Sequence, residues 1–348
     1  MFINTPSKLN GAQPAVQVRD NLLGAEVFRR RPSAKRGCDG MPGGLRALAK
    51  MNETPATSRS GLPAALGAYL IWGFLPLYLI LVRSVPPVEF VAWRIVWTLP
   101  LCLIIAGFRH QLPEILAALR SPQVLATLTL SAALIGINWL VYIWAIQTGE
   151  VYAASLGYYI NPLINVLLGT VLLGERLSAR GWTAVAIAAA GIALLLGGAL
   201  TTLWISLTLA LSFGAYGLLR KRVPVGALPG LTIESLILLL PAFGVIGWFA
   251  STPQGSSFGH DLPLSLLIVL GGALTAIPLW LFAVAARRMA YSTLGFVQFL
   301  SPTIVFVLGL TVFDKPLLPA QLYAFIAIWI AIAVFVWDLR ASRTPVAT

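Results

Sequence analysis

Between residues 61 and 340 the apolar residues come in long runs separated by short polar or basic links. Ten runs of about 20 residues can be traced, the length a helix needs to cross the hydrocarbon core of a bilayer. They cover approximately 62–82, 88–107, 123–146, 151–173, 180–198, 203–219, 230–250, 263–286, 291–312 and 318–338. Barrel strands would be half as long and would alternate apolar with polar residues. The pattern therefore predicts an all-α membrane protein with ten transmembrane helices. The chain also nearly repeats itself at an interval of about 140 residues. Asn161-Pro162 lies inside the fourth run and Ser301-Pro302 at the matching point of the ninth, and Gly169 and Gly309 follow at equal distances. Trp72-Gly73 pairs with Phe213-Gly214, Asn138 with Pro278, and Tyr142 with Phe282. A repeat with five spans inverts when it crosses the membrane. The predicted organisation is two inverted five-helix repeats, 61–200 and 201–340, between tails at 1–60 and 341–348.

Composition agrees and narrows the class. Hydrophobic residues make up 58% and charged residues 10% of the chain, with a mean hydropathy of +0.85. Soluble domains carry about 25% charged residues. A net charge of +12 would hint at nucleic acid in a soluble protein. Here its placement explains it. With the N-terminus inside, all of the 24 Lys and Arg residues except Arg83, Arg94 and Lys315 fall on the cytoplasmic side. That asymmetry predicts an inner-membrane protein with both termini cytoplasmic. The first 60 residues hold ten basic and four acidic residues without a long apolar run, and read as a disordered tail. No apolar stretch follows that would make a signal peptide. Residues 1–50 read as an unused tail, or as preceding a true start at Met51, more readily than as a regulatory segment.

Enzymatic machinery is not evident. Cys38 and Cys102 are too separated in context to form a structural disulfide, and no ligand spacing suggests a metal. His110 and His260 fall in loops on opposite sides. There is no P-loop, HExxH or Gly-rich nucleotide fingerprint, so no cofactor is expected.

The candidate chemistry lies inside the spans. Pro162 and Pro302 each remove a backbone N–H and clash with the carbonyl four residues earlier, at Tyr158 and Gln298. Both positions are expected to break or hinge their helices beside protein or water. Tyr158, Asn161 and Asn165 share one helical face, and Gln298, Ser301 and Val305 are their counterparts. Matched polar stripes beside matched breaks point to a central substrate cavity. The plainer alternative is hydrogen bonding between neighbouring helices. Asn138, Trp139 and Tyr142, and likewise Tyr69 and Trp72, form polar-aromatic clusters suited to a flat or amphipathic substrate. Arg94 is the one basic residue well inside a span. It either snorkels to the outer surface or serves a substrate or gate. Glu234 occupies the matching position in the second repeat, and the hypothesis is that each lines one half-channel. Trp182, Trp204, Trp248 and Trp337 near span ends read as interfacial anchors. The Ala-rich fifth and tenth spans read as tight packing within the bundle more readily than as a dimer interface, leaving monomer and homodimer both open. Glu175-Arg176 and Asp314-Lys315 read as structural charges at helix ends.

These stretches resemble a known family. AYLIWGFLPLY (68–78), WRIVW (93–97), NWLVYIWAI (138–146), ASLGYYINPLINVLLG (154–169), LGERL (173–177), SFGAYGLLRK (212–221), IESLILLLP (233–241) and STLGFVQFLSPT (292–303) are similar to the RarD-like permeases. Those belong to the EamA family of the drug/metabolite transporter superfamily, and the resemblance covers about residues 61–340. Two departures stand out: Trp93 replaces a common His before Arg94, and Phe313-Asp314 replaces the Gly-Glu pair seen at Gly174-Glu175. The resemblance implies a secondary transporter that moves a small organic metabolite or drug by alternating access. Its chloramphenicol-resistance label implies export. Proton antiport would need Glu234 or Glu89 as carrier, and facilitated exchange is the alternative. An intramembrane enzyme or a channel is the rival reading.

Overall fold

The computed structural model describes residues 61–148, 150–195, 202–313 and 317–341. The expectations for the tail at 1–60, for the end beyond residue 341 and for Asp314-Lys315 lie outside the described residues. Among the described residues twelve helical segments follow in order. They are α1 (Leu62–Leu81), α2 (Pro87–Phe108), α3 (Leu112–Leu119), α4 (Pro122–Gln147), α5 (Val151–Leu173) and α6 (Ala179–Ala193). After these come α7 (Leu203–Arg222), α8 (Ala227–Ala250), α9 (Leu262–Arg288), α10 (Tyr291–Gln298), α11 (Leu300–Thr311) and α12 (Pro319–Ala341). With α10 and α11 taken together, nine helices among the described residues are long and apolar enough to span a bilayer. The fifth expected span is present as α6, apolar but only 15 residues long.

Local chemistry sets the ends. Proline opens α1, α2 and α9, where its missing N–H has no intrahelical partner to lose. The side chains of Ser178 and Asp261 accept from the Gly181 and Leu264 amides and cap α6 and α9. Gly174, at φ 66°, closes α5 in the left-handed conformation that glycine adopts without a Cβ penalty. Segment α3 lies where the sequence predicts only a basic loop. Its Ile115 and Ala118 are buried while Leu112 and Leu116 stay exposed, and eight residues are too few for a span.

The prolines behave differently from each other. Matched breaks are expected at Pro162 and Pro302, but α5 runs through Pro162 without interruption. The break falls at Phe299, between α10 and α11. Pro302 then sits in the first turn of α11, where backbone N–H groups are unpaired in any helix and the loss costs little.

Helices pack as α6 on α12, α2 on α8, α5 on α7, α2 on α9, α4 on α7, α1 on α9, α5 on α10, α1 on α11 and α4 on α8. Small residues permit the close approaches. A Cβ on Gly191 would lie 2.7 Å from Cβ of Ala327, so the Ala/Gly surfaces of α6 and α12 are an internal contact. A Cβ on Gly295 would lie 2.6 Å from the Pro162 carbonyl oxygen, which brings α10 directly against the proline of α5.

One end of the bundle is crowded with charge. Lys221 donates to the carbonyls of Ala286 and Met289 at 2.9 and 2.5 Å. Arg287 donates to Val223 and Val225, and Arg222 to Leu172. These cations meet helix C-termini, where the backbone dipole favours them. Glu175 does the reverse, accepting from the Tyr291 and Ser292 amides at 2.6 and 2.9 Å at the start of α10. At the opposite end Glu89 holds the 256–258 loop. It accepts from Ser256 Oγ at 2.6 Å, Ser257 N at 2.8 Å and Ser257 Oγ at 2.8 Å. Trp182, Trp204, Trp248 and Trp337 are all exposed near helix ends.

Candidate functional site

A cavity of about 260 Å³ lies in the middle of the bundle, between α1, α2, α4, α5, α9 and the broken pair α10–α11. Eight of the nine nominated side chains line it: Trp72, Arg94, Asn138, Trp139, Tyr158, Asn161, Gln298 and Ser301. Pro302 lines it and Pro162 does not. Glu234 stands outside.

The floor is aromatic and faces the charged end. Trp72 lies 5.7 Å from both Tyr69 and Phe213, and Phe282 lies 5.1 Å from Phe213 and stacks on Tyr216 at 6.1 Å. Tyr69, Tyr216 and Phe282 are fully buried. Beneath them Tyr291 Oη donates to the Gly214 carbonyl at 2.7 Å. This layer closes the cavity toward the charged end. In the other direction the cavity continues along Leu75, Pro76 and Leu79 of α1.

The two polar stripes meet across the space. Asn165 Nδ2 donates to Gln298 Oε1 at 2.7 Å, tying α5 to α10 at the break. Asn161 Oδ1 is buried and has no hydrogen-bond partner among the described residues. Asn138 bonds between helices as well as facing the cavity, donating to the Leu209 carbonyl at 2.9 Å and Ser212 Oγ at 3.0 Å. Tyr142 and Tyr158 form an edge-on pair at 5.7 Å on the wall.

Arg94 turns inward rather than snorkelling to the end of α2. Its Nε donates to Thr275 Oγ1 at 2.8 Å, and Thr275 donates in turn to the Gly271 carbonyl at 2.7 Å. The guanidinium carbon lies 5.5 Å from the Phe90 ring and 5.7 Å from the Trp139 ring, within the range of cation–π attraction. Two glycines of α9 make this possible. A Cβ on Gly272 would lie 2.6 Å from the Trp97 backbone, and one on Gly271 would lie 3.1 Å from Arg94 Cγ.

Glu234 is sealed behind the wall. Its Oε1 lies 3.6 Å from Arg220 Nη1, and it accepts from Ser131 Oγ at 2.5 Å and Tyr216 Oη at 3.4 Å. Arg220 is itself fully buried and donates to the Ala227 carbonyl at 2.6 Å. A Cβ on Gly230 would overlap the Arg220 guanidinium, so that glycine makes the room. The void beside Glu234 measures about 10 Å³, enough for a single water. It shares Ile135, Trp139, Thr275 and Leu279 with the central cavity.

Sequence reasoning missed Thr275, Ser155 and Tyr159 on the lining. Thr275 was visible as a hydroxyl in an apolar span, but its pairing with Arg94 bridges 181 positions of chain. Arg220 is one of the basic residues that the loop-charge pattern places on the cytoplasmic side, yet its side chain folds back into the bundle.

A multi-pass helical bundle around one polar-aromatic cavity has the form of a membrane carrier for small molecules, and comparison with known proteins agrees. The chain belongs to the EamA-like transporter family, whose model matches residues 59–197. It is 43% identical over 289 residues to an uncharacterized transporter of Pseudomonas aeruginosa, covering 82% of this chain and 96% of that protein. It is 38% identical over 288 residues to protein RarD of Salmonella typhimurium, covering 81% and 96%. A solved structure described as a crystal structure of protein has the same fold at a TM-score of 0.65 and 18% identity, covering 82% of this chain and 99% of that one. The family is one of transporters rather than enzymes, so a small-molecule substrate and a lipid bilayer are its natural partners.

Proposed function

We propose that the protein is a secondary transporter that exports a small organic metabolite or drug across the inner membrane by alternating access. Its ten spanning helices form two inverted five-helix repeats, 61–200 and 201–340. The observation that carries this reading is the convergence of residues from both halves, at the polar stripes and the broken helix, on one cavity closed at one end. The packing pattern supports the repeat. Helix α5 lies on α7 as α11 lies on α1, α4 on α7 as α9 on α1, and α2 on α9 as α8 on α4. Each pair becomes the other when the halves exchange roles, as an inverted repeat requires. The positive-inside rule makes the charged end, and both termini, cytoplasmic. The cavity then belongs to an outward-facing state, with the aromatic floor and the charged contacts of α7, α8 and α9 as the closed inner gate. Pro302, beside the break at Phe299, and Pro162, against Gly295, are the hinges of the rocking motion.

No carboxylate stands among the residues that line the cavity. Proton coupling would therefore run through Glu234 behind the Thr275–Trp139 wall, while facilitated exchange needs no such group. Glu89 is engaged by Ser256 and Ser257 and holds the outer loop in place. Resistance to chloramphenicol by efflux is the corresponding cellular expectation from the RarD resemblance.

Thermal-shift screening of the purified protein for ligands, followed by counterflow of the hits in proteoliposomes, tests the reading. Saturable exchange that is abolished by Ser301→Trp, which fills the cavity, is the expected result. Flux that rises linearly with concentration, or that survives the filled cavity, would mean a channel or a different site.

A further inference from the structure

Among the described residues that line the central cavity, Arg94 is the only Lys, Arg, His, Asp or Glu, and it faces the space. Its Nε is fixed on Thr275 and its face lies near Phe90 and Trp139. Its two Nη groups have no hydrogen-bond partner among the described residues, and no described carboxylate forms an ion pair with it. Glu234 provides the contrast, because a charge kept for structure is neutralised, as Arg220 neutralises Glu234 at 3.6 Å. A guanidinium held by one nitrogen, with the remaining edge facing the cavity, has the geometry for a bidentate bond to a carboxylate. A neutral ligand would give the guanidinium no counter-charge, and a cationic ligand would be repelled.

We infer that the substrate is a small organic carboxylate, its carboxylate paired with Arg94 and its body against the rings of Trp139, Tyr142 and Tyr158. Asn161 Oδ1, without a partner among the described residues, offers an acceptor for an N–H or O–H on that body. This rests on reading the cavity as the substrate site, and it narrows that reading to one ligand class. Thr275 is a positioning residue, since it touches Arg94 and holds the guanidinium edge toward the cavity.

The test uses the full-length purified protein and matched probes: indole-3-acetate with indole-3-acetamide, 4-phenylbutyrate with its amide, and hexanoate with hexanamide. Thermal unfolding and titration calorimetry would compare each acid with its amide. Wild type should bind at least one acid about tenfold or more tightly than its amide, the scale of a charge-assisted bidentate bond. Arg94→Gln should remove the preference and Arg94→Lys should retain part of it, with unliganded melting curves confirming that both are folded. The inference is overturned if no acid outcompetes its amide in wild type, or if Arg94→Gln keeps the preference. If acids and amides bind equally and Ser301→Trp blocks both, the anion inference fails while the cavity remains the binding site. If binding survives Ser301→Trp, the cavity reading itself fails.

Discussion

Arg94 and Glu234 stand about 140 residues apart at matching places in the proposed repeat, and their neighbours match as well. Arg94 packs on Gly271 and bonds Thr275, whereas Glu234 bonds Ser131 near Ile135, and each of these pairs is also offset by the repeat interval. The outcomes are opposite. Arg94 faces an open cavity with no counter-charge among the described residues, while Glu234 is 2% exposed and paired with Arg220. In the proposed reading, one structural position serves as a ligand contact in one half and as a closed latch in the other. The surroundings differ: the aromatic floor and the charged contacts lie on the Glu234 side, and the open space lies on the Arg94 side.

The comparison breaks most visibly at the latch. Glu234→Ala leaves Arg220 buried without its counter-ion and should cost about 3–5 kcal/mol in unfolding experiments. Adding Arg220→Leu should recover much of that loss. An unchanged melting curve for Glu234→Ala would mean that the pair does not hold the closed end. Gly271→Leu drives a side chain into Tyr78 and Arg94. It should cost about 1–3 kcal/mol by overpacking and weaken ligand binding. Gly309→Leu, which meets no neighbour within 4 Å, is the control and should leave both properties as in wild type. Gln298→Leu strands Asn165 Nδ2 and should cost about 1–3 kcal/mol. The double variant Asn165→Leu/Gln298→Leu should be closer to wild type because neither partner remains to be left unpaired, and calorimetric melting measures the coupling. Arg94→Gln should have the smallest effect on melting, because it removes a cation that lacks a counter-ion. A large loss of stability there would show that Arg94 serves the fold rather than the ligand.

Much of this was legible from the chain. The spans stand out because lipid demands long apolar helices, and the polar stripe at Tyr158, Asn161 and Asn165 stands out because the two asparagines are the most polar side chains in an otherwise apolar span and share a face with Tyr158. The repeat interval brought Arg94 and Glu234 to notice together. It did not separate their roles, since Arg220 looks like a loop charge until α7 is seen to end beside α8. Segment α3 escaped notice because eight residues in a basic link carry too little pattern to distinguish a surface helix from a turn. Pro162 and Pro302, alike in the sequence, differ in the fold. Proline removes the same N–H in both places, but its cost depends on where the helix begins, and that is set by the packing of α10 on α5.

What the sequence determined by itself is what the solvent dictates: an all-α membrane protein, the position of its spans and the asymmetry of its loop charge. These follow from the energy of placing each residue in lipid or water, which is local and additive along the chain. The tertiary structure alone decided which end is closed, that Asn165 meets Gln298, that Thr275 holds Arg94 and that Arg220 neutralises Glu234. Those outcomes depend on contacts of 2.7–3.6 Å between residues up to 181 positions apart. At that range an opened glycine surface or a single hydroxyl decides which partner a buried charge finds.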